Sequence, residues 1–276
     1  MRTRNRSKSH RVSCLPAVLG PLALLAVYYF VQAALRTPPL GDVQVIAHRG
    51  ASHAAPENTL AAFHLAVEQG SDWLEFDVWK SRDGALVVIH DETVDRTTNG
   101  TGAVRDLTLE QLRALDAGQG QKIPTAGEVI ALAKSAGVLV LPEAKGSARD
   151  AGIEQALLEQ LAAADYLERA VIQSFDAASL LRFRQLDPNA SLCSLTGLWR
   201  LDLGSPPADA AFVCPMAEMV VLNPFMVVQA HRAGRQVFVY FGILEGEPLI
   251  RVMRFFGVDG MIVDDPEQLV RVLSSP

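Results

Sequence analysis

Two acidic residues spaced two apart are the first candidates for chemistry in this sequence. Glu75 and Asp77 lie in the stretch 73–79, whose apolar residues are typical of a strand. Because side chains alternate along a strand, both carboxylates leave the same face. Two neighbouring buried anions repel each other unless a cation lies between them, and oxygen ligands favour a hard divalent ion. The pair therefore predicts a metal site, with a solvated acidic face on an edge strand as the alternative.

Two histidines end apolar stretches in the same part of the chain. His48 directly precedes Arg49 at the end of one stretch, and His90 ends another. The turn signal at 82–84 predicts a hairpin that brings His90 roughly opposite Asp77, beside the expected metal ligands. Arg49 adds a guanidinium fork that matches phosphate oxygens. Either histidine alone could be structural, but with Arg49 the pair predicts acid–base catalysis at a phosphodiester.

A third carboxylate, Glu143, ends a later apolar stretch. Proline is disfavoured inside a central strand, so Pro142 marks the rim where strand pairing ends. Glu143 is therefore expected beside Glu75 and Asp77 at the C-terminal mouth of a parallel sheet. Three carboxylates suit Mg²⁺ or Ca²⁺, without favouring either. Glu57 could be a further ligand or an acid at a helix start.

These residues belong to a series of short motifs along the chain. In order, the motifs are His48-Arg49-Gly50, Pro56-Glu57-Asn58-Thr59, Leu74-Glu75-Phe76-Asp77-Val78, Asp83-Gly84, Val88-Ile89-His90-Asp91, Arg96-Thr97-Thr98-Asn99-Gly100, Ile123-Pro124-Thr125, Glu143-Ala144-Lys145, Ser174-Phe175, Gly257-Val258-Asp259-Gly260 and Asp264-Asp265-Pro266. The series resembles the glycerophosphodiester phosphodiesterase family and spans nearly everything after residue 43. Each motif is weak alone, but their order makes the resemblance specific.

The resemblance implies a metal-dependent hydrolase that converts glycerophosphodiesters to glycerol 3-phosphate and an alcohol. It assigns the metal to Glu75, Asp77 and Glu143 and places Lys145 near the phosphate or the leaving oxygen. Lys145 could instead be only a charge partner of Glu143. Similarity to phospholipase-type barrels implies that a neighbouring substrate hydroxyl attacks first and forms a cyclic phosphate. The alternative from another class is a catalytically silent, membrane-tethered binding barrel.

The sequence departs from the family where the seventh barrel strand ends. Members usually carry a tryptophan followed shortly by valine and asparagine, whereas this chain has Val239-Tyr240-Phe241-Gly242-Ile243. Tyr240 is expected to replace the aromatic wall that contacts the substrate. Residues 197–203 add apolar side chains on the mouth side. Lysophospholipase D-type hydrolysis of lysophospholipids is therefore the alternative activity.

The order of the elements predicts an α/β fold, a (β/α)8 TIM barrel, because apolar strand-like stretches alternate with helical patterns. The barrel strands are expected to start near Gln44, Trp73, Val138, Ala170, Ser191, Met219, Gln236 and Gly260. Helices are expected over 59–69, 125–136, 152–164, 176–185, 224–233, 248–256 and 266–273. Residues 86–91 must return antiparallel to the second strand, since so short a turn cannot join parallel strands.

Residues 92–122 form an insertion after the hairpin. The polar start of the insertion suits a loop over the barrel mouth that helps to enclose the substrate, or the insertion only covers the hairpin. Arg96 is expected there as a phosphate or substrate contact.

The N-terminal part predicts a single-pass anchor in the cell membrane. Residues 1–13 form a basic cytoplasmic tail, and 14–35 form an uncharged apolar segment of about the ~20 residues that a membrane helix needs. Basic residues before such a segment remain cytoplasmic, so the linker 36–42 and the domain 43–276 are expected outside the cytoplasm. A cleaved signal peptide is the alternative.

The charge of the remaining chain argues against one class of partner. Removing the five basic residues of 1–13 from the formal net charge of −6 leaves −11, so nucleic acid is not an expected partner. No protein partner is evident. Cys193 and Cys214 are expected to be buried free thiols, although an extracytoplasmic location would permit a disulfide.

Overall fold

A closed barrel of parallel strands carries the chemistry-bearing residues. The structure is a computed structural model that describes residues 15–146, 152–201, 203 and 205–275. Its strands are β1 (Gln44–His48), β2 (Trp73–Lys80), β3 (Leu86–Val88), β4 (Leu139–Ala144), β5 (Ile172–Ser174), β6 (Leu192–Thr196), β7 (Phe212–Pro215), β8 (Gln236–Tyr240) and β9 (Gly260–Val263). All except β3 pair in parallel, and the pairing of β1 with both β2 and β9 closes the ring. The predicted TIM barrel is confirmed.

Ten α-helices are found in the described part of the chain. They are α1 (Leu15–Leu35), α2 (Leu60–Glu68), α3 (Leu109–Ala114), α4 (Ala126–Ala136), α5 (Ile153–Ala163), α6 (Ala177–Leu186), α7 (Ala217–Leu222), α8 (Phe225–Arg232), α9 (Glu247–Phe256) and α10 (Pro266–Ser274). Each of the seven helices predicted for the barrel agrees within one residue at either end. Thr59 caps α2 by accepting the backbone N–H of Ala62, which leaves Asn58 available to the site.

The sixth barrel strand differs from the prediction. The barrel strand expected near Met219 is β7, which ends at Pro215, and Met219 lies in α7. The apolar sequence from Met219 to Leu222 suggests a strand, but the burial over 216–222 has a helical pattern, with Met216, Met219 and Val220 on the buried face. Pro215 suits the end of a strand because it cannot donate to further pairing.

The hairpin and insertion follow β2. β3 returns antiparallel to β2 as predicted, and the backbone N–H of Ile89 donates to the carbonyl of Asp77 at 3.1 Å. The pairing therefore places Ile89, rather than His90, opposite Asp77. The insertion 92–122, which includes α3, packs on the hairpin through its own apolar cluster: Val87, Ile89, Val94, Val104, Leu112, Ala117 and Ile123.

The barrel interior below the mouth is apolar and contains a disulfide. Cys193 on β6 and Cys214 on β7 are fully buried and bonded to each other, with Cα atoms 6.2 Å apart. The expectation of two free thiols was therefore wrong. The chain contains no local signal for this pairing, because inward-facing positions on adjacent strands meet only when the barrel closes.

The N-terminal segment forms α1, while residues 1–14 lie outside the described residues. Within the described ranges, none of the helices has both the length and the apolar character required to cross a membrane. The transmembrane helix expected over 14–35 is therefore not found. The chain divides into two compact units between Arg36 and Thr37, so most of the expected linker 36–42 belongs to the barrel unit.

Candidate active site

Three carboxylates meet at the C-terminal mouth of the barrel. Parallel pairing places His48 of β1 beside Glu75 of β2, and Asp77 of β2 beside Glu143 of β4. Glu75, Asp77 and Glu143 each offer an oxygen within 4.8 Å of the others, and all three are buried. Their neighbours on β2, such as Phe76, face the helices instead. The alternation and the rim position expected from the sequence bring these acids together.

Burial and mutual repulsion shift the pKa values of the three clustered acids. Burial and the charge of Asp77 raise the pKa of Glu75 to about 8. Burial, opposed by Lys145, leaves the pKa of Glu143 raised to about 7. Burial also acts on Asp77, but Lys145 and Arg49 outweigh it and lower the pKa of Asp77. Glu75 and Glu143 therefore resist ionisation beside the ionised Asp77, and a hard cation would favour the ionised form of all three, so this cluster could bind a divalent metal ion.

Two basic side chains border the acids. Lys145 Nζ lies 2.8 Å from Glu143 Oε1 and 3.1 Å from Asp77 Oδ1. Arg49 Nε lies 3.3 Å from Asp77 Oδ2, and the Arg49 backbone N–H donates to Glu75. Lys145 is therefore both a partner of Glu143 and a positive group at the mouth.

The turn after β1 depends on a glycine. Arg49 and Gly50 both have positive φ, at 57° and 82°. A Cβ on Gly50 would lie 2.6 Å from the backbone carbon of Ala62, so only glycine fits at this position. The close packing against α2 directs Arg49 and His48 towards the mouth.

His48 is held by an acid from the last barrel strand. Asp264, which follows β9, accepts from Nδ1–H of His48 at 2.7 Å and from the hydroxyl of Ser52 at 3.0 Å. Glu245 accepts the backbone N–H groups of Asp264 and Asp265. Burial lowers the pKa of His48, but the hydrogen bond to Asp264 and the charge of Glu75 outweigh it, and the pKa is raised.

His90 has its own carboxylate partner. Asp91 Oδ1 accepts from Nδ1–H of His90 at 2.6 Å. Burial lowers the pKa of His90, and although Asp77 opposes this effect, Lys145 and Arg49 add to it, so the pKa is lowered. The pKa of His48 is thus raised and that of His90 lowered, although both histidines line the same cavity.

A cavity of about 380 Å³ joins these groups. Its lining includes His48, Arg49, Glu75, His90, Glu143, Lys145, Gln173, Phe175, Tyr240 and Asp264. The hydroxyl of Tyr240 donates to the carbonyl of Thr196 at 3.1 Å, and its ring packs edge-on against Phe175. Burial and the charge of Glu143 raise the pKa of Tyr240 to about 12. Tyr240 therefore remains a neutral aromatic wall.

Glu57 and Arg96, expected as a possible metal ligand and a substrate contact, pair with other side chains instead. Glu57 is outside the acidic cluster and bonds to the guanidinium groups of Arg49 and Arg96, so the structure does not place it as a metal ligand. Arg96 is not part of the cavity lining, because Glu57 and Asp91 engage its guanidinium.

Several site residues were missed from the sequence. Gln173 donates to Glu75 at 2.9 Å, and Asn58 donates to Asp77 at 2.8 Å. Asp264 follows an apolar strand at the same rim as His48, so the rule that found the other mouth residues could have found it. Asp91 directly follows His90 and offered the same kind of signal. Asn58 lies in the motif at 56–59 but was not assigned to the site, and no local signal marks Gln173, because each acts through a partner on another element.

Fold and site together define a (β/α)8-barrel hydrolase. Residues 48–268 match the glycerophosphoryl diester phosphodiesterase family. The chain is 39% identical over 242 residues to a glycerophosphodiester phosphodiesterase of Caldanaerobacter subterraneus, covering 83% of this chain and 97% of the relative. A glycerophosphodiester phosphodiesterase of Bacillus altitudinis is 34% identical over 240 residues, with 83% and 97% covered.

Solved structures agree with these relatives. An Oleispira antarctica phosphodiesterase in complex with its product sn-glycerol-3-phosphate superposes with a TM-score of 0.75 at 28% identity, covering 84% of this chain and 97% of that one. A glycerophosphodiester phosphodiesterase from Agrobacterium tumefaciens gives 0.73 at 27% identity, with 83% and 99% covered. The chain belongs to the glycerophosphoryl diester phosphodiesterase family and is an enzyme.

Proposed function

We propose that the protein hydrolyses glycerophosphodiesters to glycerol 3-phosphate and an alcohol. The observation that carries the proposal is the convergence of a carboxylate cluster, two basic side chains and two histidines on one cavity. Family membership supports the reaction class, and the Oleispira relative was solved with sn-glycerol-3-phosphate as its product. A silent binding barrel could use the basic side chains but would need neither the two histidines nor the carboxylate cluster.

A divalent cation, Mg²⁺ or Ca²⁺, fits the acidic cluster. Glu75, Asp77 and Glu143 would hold it through carboxylate oxygens. When bound, such an ion supplies positive charge that polarises a phosphoryl oxygen. The raised pKa values of Glu75 and Glu143 support this assignment, because a bound cation favours the ionised form of both groups.

The basic side chains bind the anionic part of the substrate. Arg49 and Lys145 line the cavity, and each already contacts Asp77. Their positive charge offsets the negative charge that develops on the phosphoryl oxygens, a contribution that is usually large in such reactions. Tyr240 and Phe175 form an aromatic wall for the alcohol portion.

The two histidines exchange protons with the reacting oxygens. One imidazole accepts the proton of the neighbouring substrate hydroxyl as its oxygen bonds to phosphorus, and the other donates a proton to the leaving alcohol oxygen as its bond to phosphorus breaks. Water then opens the resulting cyclic phosphate with the two proton transfers reversed, and glycerol 3-phosphate is released. The hydrogen bonds to Asp264 and Asp91 occupy Nδ1 of both rings, so Nε2 is the reactive atom in each. The opposite directions of their pKa shifts favour one protonated and one neutral ring.

An apolar rim beside the cavity favours lysophospholipids as the second candidate substrate. Leu198, Trp199, Ile243 and Leu244 are exposed, Trp199 by 79%. Helix α7 holds both loops: Glu218 accepts the backbone N–H groups of Ile243 and Leu244, and Met219 Sδ accepts from that of Trp199. These side chains offer a surface for an acyl chain attached to the phosphodiester.

The disulfide supports an extracytoplasmic location for the barrel. Disulfides persist in oxidising compartments and are rare in the cytosol. The basic and apolar segments at 1–35 would direct export to the cell membrane and beyond it. Acid quenching of cells, followed by alkylation in denaturant, tests this location: Cys193 and Cys214 should resist the reagent until reduced, and their alkylation without a reductant would contradict it.

A substrate screen with metal titration tests the proposed reaction. The full chain is assayed with glycerophosphocholine and lysophosphatidylcholine in EDTA and then in Mg²⁺ or Ca²⁺. We expect metal-restored release of glycerol 3-phosphate and choline from glycerophosphocholine. Failure to hydrolyse either substrate would overturn the proposal. A kcat/KM at least about tenfold higher for the lysophospholipid, a difference of about 1.4 kcal/mol, would favour the second candidate.

A further inference from the structure

One arginine of the insertion joins two parts of the site without lining the cavity. Arg96 Nε donates to Asp91 Oδ2 at 2.6 Å and Nη2 donates to Oδ1 at 3.1 Å. Nη1 and Nη2 of the same guanidinium donate to Glu57 Oε2 and Oε1 at 2.7 and 2.8 Å. A planar fork thus makes two hydrogen bonds to each of two carboxylates.

Each carboxylate also contacts a group with a proposed role in the reaction. The oxygen of Asp91 that bonds to Arg96 Nη2 also accepts from Nδ1–H of His90 at 2.6 Å. The oxygen of Glu57 that bonds to Arg96 Nη2 also accepts from Nη1 of Arg49 at 3.0 Å. Hydrogen bonds therefore run without a break from His90 through Arg96 to Arg49.

We infer that Arg96 is a positioning residue that holds His90 and Arg49 in their working orientations through Asp91 and Glu57. The inference rests on the proposed function, in which His90 transfers a proton and Arg49 binds phosphate. It also assigns a task to the insertion, which supplies the arginine from outside the barrel. The pKa values agree with this picture, since the hydrogen bond to Arg96 lowers that of Asp91 to about 2 and helps to lower that of Glu57.

The geometry requires arginine rather than any positive charge. Lysine presents a single ammonium group and cannot bond to two carboxylates in bidentate fashion at once. Without the guanidinium, Asp91 and Glu57 would repel each other, and the partners of both would shift. Arg96 is half-exposed, with 47% of its side chain accessible, so its replacement leaves the apolar core intact.

Arg96→Lys and Arg96→Gln test the inference, with Arg105→Gln as the matched control. Arg105 lies in the same insertion, is 49% exposed and, among the described residues, has only a 3.5 Å ion pair with Glu92. Because small misplacements of catalytic groups cost up to about 10²-fold, we expect both Arg96 variants to lower kcat on glycerophosphocholine by roughly 10- to 100-fold. KM should rise as Arg49 loses its support, and Arg105→Gln should retain wild-type values.

A double-variant cycle separates positioning from a general structural effect. Asp91→Asn alone should lower kcat. The double variant, Arg96→Gln with Asp91→Asn, should have a kcat only slightly lower than that of the less active single variant. Losses that multiply, or a wild-type kcat in Arg96→Gln, would overturn the inference. If Arg96→Gln fails to fold, Arg96→Lys decides in its place.

Imidazole NMR makes the test independent of turnover. The ring ¹⁵N and Nδ1–H signals of His90, assigned with His90→Gln, should shift and broaden in Arg96→Gln and stay unchanged in Arg105→Gln. Unchanged His90 signals in Arg96→Gln would contradict positioning. An inactive wild type would count against the proposed function, while the His90 signals would still decide the role of Arg96.

Discussion

The two ends of strand β9 carry the same chemical pair with different consequences. At the mouth, His48 Nδ1 bonds to Asp264, the residue after β9, at 2.7 Å. At the base, His231 Nε2 bonds to Asp259, the residue before β9, at 2.9 Å. Both are histidine–carboxylate pairs between residues far apart in sequence.

The two histidines differ in whether the second ring nitrogen has a hydrogen-bond partner and in how accessible the ring is to solvent. His231 is buried, and its Nδ1 accepts the hydroxyl of Thr37 at 2.5 Å, so both of its nitrogens are occupied. Asp259 also accepts two backbone N–H groups, including that of Leu40. His48, by contrast, lines the cavity and has no hydrogen-bond partner for Nε2 among the described residues. A histidine with both nitrogens bonded stabilises structure, whereas one with a nitrogen facing a cavity can exchange protons.

Removing the mouth histidine should produce the largest effect. His48→Ala is expected to lower kcat/KM by about 10³-fold, within the ~10²–10⁴-fold that acid–base groups contribute. His90→Ala should behave similarly. The free energy of unfolding, measured in urea, should change by less than about 1 kcal/mol because the ring is partly accessible. His64→Ala, at an exposed position of α2, is the control. Near-normal hydrolysis by either site variant would exclude that histidine from the reaction.

Removing the base histidine should have the opposite pattern. His231→Ala leaves the buried carboxylate of Asp259 without the N–H donor that His231 supplies, so the free energy of unfolding should fall by about 3 kcal/mol. The kcat of the remaining folded protein should match the wild type. Urea unfolding and active-site titration measure the two quantities separately. A large loss of kcat in a stable His231→Ala protein would show that the two ends of β9 are not independent.

A smaller effect is expected from the acids at the mouth, which should make the free energy of unfolding depend on pH. Without metal, Glu75 and Glu143 have pKa values of about 8 and 7 in the folded state, above their ordinary value of 4.5. Between pH 4.5 and about pH 8 the folded state therefore binds more protons than the unfolded state. The free energy of unfolding should decrease as pH rises through this range. A bound cation favours the ionised acids and should offset the loss.

Melting in EDTA and in saturating Mg²⁺ or Ca²⁺ measures this effect. The stabilisation by metal should grow by at least about 3 °C in Tm between pH 5 and pH 8, which corresponds to about 1 kcal/mol for a chain of this size. The double variant Glu75→Gln, Glu143→Gln should abolish the increase. A metal effect that is independent of pH would contradict the assignment of these acids as ligands.

Much of the fold and of the acidic cluster could be predicted from local pattern. Alternation placed Glu75 and Asp77 on one face, and the strand-ending Pro142 placed Glu143 at the same rim. The sixth barrel strand could not be predicted, because a short apolar sequence such as that around Met219 fits a strand or a helix until its neighbours decide which face is buried. The hydrogen bonds of Arg96 to Asp91 and Glu57 were also missed, because the three residues come from separate parts of the chain.

The sequence by itself determined the alternation of strands and helices, the polar residues at strand ends and the family. These properties follow from residue periodicity and motif order, which are local. Only the tertiary structure decided which histidines line the cavity, which acids bind Arg96 instead of metal, and that Cys193 and Cys214 are joined. Closure of the barrel brings together residues such as His48 and Asp264, which are 216 positions apart, and no local pattern encodes contacts of that range.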